Sequence, residues 1–154
     1  MNAGSRLAIG TTALAIVASA LIGGARIAAA DSAQAAAGAS FSVLSGRCSA
    51  ARDNYGTFRV YFYQRGRYDV FNRFNYQLAG PGLRNKNNVE IWIRERHSRA
   101  VLHHWKSKDN VHRGHGGIPL NWRVPRKENV VVVVKFTFDR RGWDPSCADV
   151  TATV

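Results

Sequence analysis

The chain has 154 residues, two cysteines, and 22 lysines plus arginines against 10 acidic residues. That length supports one hydrophobic core and leaves no room for a second sizeable domain. The positive excess favours acidic partners such as nucleic acid, anionic cell-envelope glycans, lipid heads or sulfated polymers, although charge alone also keeps a small domain in solution.

The first segment reads as a cleavable secretory signal peptide over residues 1–35. Its only side-chain charge before the apolar run is Arg6, and from Leu7 to Ala25 the chain is uncharged and largely apolar. Thr11, Thr12 and several glycines make that run a poor permanent span, and Ala33-Gln34-Ala35 offers small residues for cleavage. An uncleaved N-terminal anchor is the alternative. Without residues 1–35 the charge count becomes 20 against 9, or +11. Residues 36–40 read as a flexible leader, and 41–154 as a single domain of an exported protein.

Within that domain a period of two dominates. Phe41 to Cys48 is a first strand. Between Thr57 and Arg65, Phe58, Val60 and Phe62 alternate with Arg59, Tyr61, Tyr63 and Arg65, giving one apolar and one basic-aromatic face. Arg65-Gly66-Arg67 is a tight turn into a second run, in which Tyr68, Val70, Phe74, Tyr76 and Leu78 are expected on one side. After a Gly- and Asn-rich loop, Val89, Ile91 and Ile93 point inward, with Glu90, Trp92, Arg94 and Arg96 outward. A turn at His97-Ser98-Arg99 precedes a shorter strand from Ala100 to Lys106. Ser107 to Pro125, rich in Gly, His, Asn and Pro, is expected to be the longest irregular segment. Five consecutive valines and two phenylalanines between Val130 and Phe138 mark a central strand, and Cys147 opens a final one.

These elements predict an all-β fold: a seven-stranded antiparallel β-sandwich, analogous in layout to immunoglobulin-like domains, with a Greek-key barrel as the alternative. Cys48 and Cys147 fit one structural disulfide joining the first and last strands, because an exported chain meets an oxidising compartment and the spacing has no metal-ligand pattern.

Three constellations bear on function. If the strands at 57–65 and 89–96 share a sheet, Arg59, Tyr61, Tyr63, Arg65, Trp92, Arg94 and Arg96 form a ladder of guanidinium groups and rings suited to an anionic polymer or carbohydrate. Such side chains also simply cover an outer sheet face. All five histidines fall between His97 and His115, and His104, His112 or His115 with Arg113 would equip a metal-independent nuclease or toxin with acid, base and cation. His112 and His115, with His103, His104 or Asp109, are also the only residues that suggest a metal. No nucleophile-elbow, P-loop or dinucleotide fingerprint occurs, and no cofactor is implied. The reading favours a secreted binding protein over an enzyme, with a structural or protein-interaction module as a further alternative.

Overall fold

The computed structural model describes residues 40–151, 153 and 154. The expected signal peptide, and all of the leader except Ser40, lie outside the described residues.

Alternation carries the strands into two four-stranded antiparallel sheets. In chain order the strands are β1 (Ser42–Ala50), β2 (Asn54–Arg65), β3 (Tyr68–Ala79), β4 (Asn88–Glu95), β5 (Val101–Lys106), β6 (Gly114–Pro125), β7 (Val130–Thr137) and β8 (Ser146–Val150). The first sheet runs β1-β2-β3-β6 and the second β5-β4-β7-β8. Among the described residues the expected count of seven is therefore corrected to eight. The order also departs from the immunoglobulin one, where the second strand pairs with the fifth, because here β2 pairs with β1 and β3.

The extra strand is β6. Glycine, proline and asparagine hid it, since each lowers strand propensity. An edge strand tolerates them because one row of its backbone groups needs no ladder partner. Its glycines also have a packing reason: a Cβ on Gly116 would overlap the Tyr76 ring, and one on Gly117 would overlap the Asn75 amide.

Between β2 and β3 the turn falls at Gly66, whose φ of +58° suits glycine. The face expected for β3 needs correction. An irregularity at Asn72 leaves that residue unpaired, so Phe71 sits opposite Phe62 on the inner side while Val70 sits opposite Tyr63 on the outer side. Tyr68 and Val70 thus lie on the opposite face from Phe74, Tyr76 and Leu78.

Both sheets contribute to one hydrophobic core. Phe58, Val60, Phe71, Phe74 and Leu78 from the first sheet meet Val89, Ile91, Ile93, Val132, Val134 and Phe136 from the second. β7 holds the interior position expected of its valines, between β4 and β8. At one edge the sheets are tied by the Cys48–Cys147 disulfide, which joins β1 to β8 with the Cα atoms 5.8 Å apart. The Arg47 amide also donates to Asp149 at 2.9 Å there. At the other edge, the His103 ring of β5 stacks on Trp122 of β6 with centroids 5.1 Å apart, and its Nε2 lies 3.2 Å from the Arg123 carbonyl oxygen.

Loops between the sheets meet at Asn87, which is fully buried. Its amide nitrogen donates to the carbonyl oxygens of Arg84 and Val111, both at 2.8 Å, and its Oδ1 accepts from the Asp139 amide at 2.8 Å. Burying this side chain is tolerable because its donors and acceptor are matched.

Two carboxyl groups respond to acid in opposite senses. Asp69 is buried and its Oδ1 lacks a hydrogen-bond partner. Desolvation raises its pKa above the usual 3.8, and the nearby Arg126 only partly offsets this. Its charge therefore costs stability above that range, and the cost disappears below about pH 4. Asp69→Asn is expected to stabilise the protein at pH 7, with the difference from wild type vanishing in urea titrations near pH 3.5. Glu95 is the reverse case. Hydrogen bonds from the His97 and Ser98 amides lower its pKa from 4.5 to about 2, so its contribution is present above 4.5 and is lost only as pH falls through about 2.

Candidate functional site

The outward positions of the first sheet form a strongly basic surface. Register sets its rows: Arg47, Thr57, Gln77 and His115; then Ser45, Arg59, Asn75 and Gly117; then Val43, Tyr61, Arg73 and Pro119. Beyond these, Tyr63 pairs with Val70 and Val70 with Arg123, followed by Arg65 with Tyr68. No strand of this sheet places a carboxylate at an outward position. Arg47, Arg59, Arg65, Arg73 and Arg123 are exposed, and among the described residues none of them forms a salt bridge. Unpaired guanidinium groups gathered on one surface reinforce one another's field and attract anions.

Part of this face follows the expected alternation: Arg59, Tyr61, Tyr63 and Arg65 all sit on the outer side of β2, with Phe58, Val60 and Phe62 beneath. Three other arginines were not foreseen. Arg47 could have been found by extending the alternation through β1. Arg73 shares the parity of Asn75 and Gln77, opposite Phe74 and Leu78, so the alternation in β3 already carried the signal for it, whereas Arg123 lies on the strand that composition concealed. An open depression of about 270 Å³ lies on the same face, lined by Thr57, Arg59, Tyr61, Asn75, Gln77 and His115.

Trp92, Arg94 and Arg96 are not part of that surface. β4 belongs to the second sheet, so the single ladder is divided between the outer sides of two different sheets. On the second sheet, the Trp92 ring stacks on His104 at 5.0 Å, and the Arg94 guanidinium lies 5.2 Å from its centroid. Glu90 sits 3.5 Å from Lys106 and 3.6 Å from His104. Trp92, Arg94, His104, Glu90 and Lys106 are thus engaged with one another, whereas Arg96 and Arg99 are exposed and line an open depression of about 600 Å³ with Arg94.

The histidines disperse. His103 closes the gap between the sheets, His104 lies outside the second sheet, and His97 occupies the turn after β4. His112 and His115 are exposed and line one open depression of about 510 Å³ with Trp105 and Lys106. No carboxylate lines that depression to orient an imidazole, and Arg113 is not among its lining residues. Asp109 accepts a hydrogen bond from the Asn88 amide. Among the described residues no three His, Cys, Asp or Glu side chains gather as metal ligands. Among the described residues, too, no helix is long and apolar enough to cross a membrane.

The fold and face together define a disulfide-linked, two-sheet, all-β protein with one acid-free basic surface. The chain matches no family model, no curated protein and no solved structure.

Proposed function

We propose that this chain is a secreted, non-enzymatic β-sandwich that binds an anionic polymer through the outer face of its first sheet. The observation carrying the proposal is the set of exposed arginines that form no salt bridge among the described residues, on a four-stranded surface without an outward carboxylate. Guanidinium groups bind sulfate, phosphate or carboxylate through paired N–H donors, and a rigid sheet holds them in place before the ligand arrives. Export is supported by the apolar N-terminal run and by a disulfide of the kind that persists in oxidising compartments.

Chromatography on immobilised heparin tests the reading. The Arg59→Ala, Arg73→Ala, Arg123→Ala triple variant is expected to elute at clearly lower salt than wild type. By counterion release, the slope of log affinity against log salt should fall by roughly 2 to 3. A matching variant of the second sheet, Arg94→Ala with Arg96→Ala and Arg99→Ala, should stay much closer to wild type. Equal losses, or a larger loss from the second set, would remove the first sheet as the binding face.

A further inference from the structure

We propose that the first sheet binds a single extended anionic polysaccharide along a diagonal track of four arginines, one from each strand. This rests on the proposed role of that face and specifies how its ligand lies and to which chemical class it belongs.

The track follows from register. Arg47 of β1 occupies the row of Thr57. Two residues further along β2, Arg59 occupies the row of Asn75. Two residues beyond Asn75, Arg73 occupies the row of Pro119. Arg123 of β6 then pairs with Val70, the next outward position of β3 past the irregularity. Each step crosses one strand and advances one outward position, which is about 8 Å from the ordinary strand spacing and rise, so three steps span about 25 Å. A row of cations oblique to the strands suits one linear chain better than a globular partner, which would need a broader contact patch.

The two flanks of the track differ. On one lie Thr57, Asn75, Gln77 and His115, around the open depression. Amide and hydroxyl groups both donate and accept, as sugar hydroxyls require. On the other flank lie Tyr61, Tyr63 and Tyr68. Successive nucleic-acid bases need exposed ring faces for stacking, and most rings here already have partners within the protein. Phe41 packs against Tyr63 in a T-shaped pair at 5.4 Å, and Arg67 lies 5.6 Å from the Tyr68 centroid. That pattern favours a sulfated or uronate polysaccharide over single-stranded nucleic acid. The depression is open, so it suits a chain lying across the face rather than a small molecule enclosed by it.

The test moves charge without removing it. Ser45→Arg with Arg47→Ser, combined with Arg73→Asn and Asn75→Arg, shifts two cations into the row of Arg59 while leaving net charge and sheet face unchanged. Titration calorimetry with a size ladder of heparin-derived oligosaccharides is the measurement. Wild-type affinity should climb with oligosaccharide length until the chain spans about 25 Å and then level off. The rearranged variant should bind the longer oligosaccharides about tenfold more weakly, the loss expected from one charge-assisted contact. It should still be retained on heparin resin, and an unchanged urea unfolding midpoint reports that it is folded.

Unchanged oligosaccharide affinity in the rearranged variant would overturn the track, and affinity already maximal at a disaccharide would do the same. Tighter binding of an oligothymidylate of matching length would overturn the polysaccharide assignment. If the triple alanine variant of the preceding section kept full retention, the face itself would fail. That result is distinct from failure of the track, in which the triple variant loses retention and the rearranged one does not lose oligosaccharide affinity.

Discussion

Replacing Cys48 and Cys147 together by serine is expected to lower unfolding free energy by about 4 to 5 kcal/mol, which corresponds to a fall of about 15 to 20 °C in melting temperature. The bridge joins residues separated by 99 positions, so almost the whole described chain lies within its loop. Opening a loop of that size returns a large amount of conformational freedom to the unfolded state. The native contacts that remain at this edge are modest: β1 and β8 are terminal strands of their sheets, with half-exposed or exposed side chains. A domain of this size has about 5 to 15 kcal/mol in total, so loss of the bridge removes about a quarter of it or more. Urea denaturation of the double-serine variant, and of wild type with excess dithiothreitol, should give matching shifts. A change below about 1 kcal/mol would mean that strand packing, not the bridge, holds this edge.

The second large effect is expected at Phe136. Its ring is fully buried, lies 6.5 Å from Phe58 and 6.4 Å from Phe138 by centroids, and occupies the space above Gly56, where any Cβ would overlap it. Phe136→Ala should cost about 3 to 5 kcal/mol, because the lost ring leaves a cavity between two sheets that cannot both move inward. Gly56→Ala should cost about 1 to 3 kcal/mol for the opposite reason, overpacking against the same ring. In the double variant the new methyl enters the space the ring vacated, so the combined loss should be smaller than the two losses added, by more than about 0.5 kcal/mol. Additive losses in urea melts would show that Gly56 is needed for its backbone rather than for the ring above it.

If the basic face works as proposed, these two stabilities matter for binding as well. Arg47 belongs to the strand that the disulfide anchors, and Arg59 follows directly on Phe58, which packs near Phe136. Loosening either region would blur the spacing of the track before the domain unfolded, because separate regions of a protein open with separate free energies.

Strand identity was largely local information. The alternation of Phe58, Val60 and Phe62 with Arg59, Tyr61 and Tyr63 declared both faces of β2, and the valines of β7 declared an interior strand, because side chains on a pleated backbone point to opposite sides in turn. The disulfide was readable for a different reason, since two cysteines allow a single pairing and their spacing carries no metal-ligand pattern. Three features needed the tertiary structure. Which strands are neighbours decided whether Arg59 and Arg94 share a surface, and alternation within a strand says nothing about the identity of its partner. The unpaired Asn72 reversed the faces of Tyr68 and Val70, because one extra residue in a ladder flips every side chain beyond it. β6 could be seen only once β3 was in place, because a strand of glycine, histidine and proline has little propensity of its own and is held by the backbone groups and rings beside it.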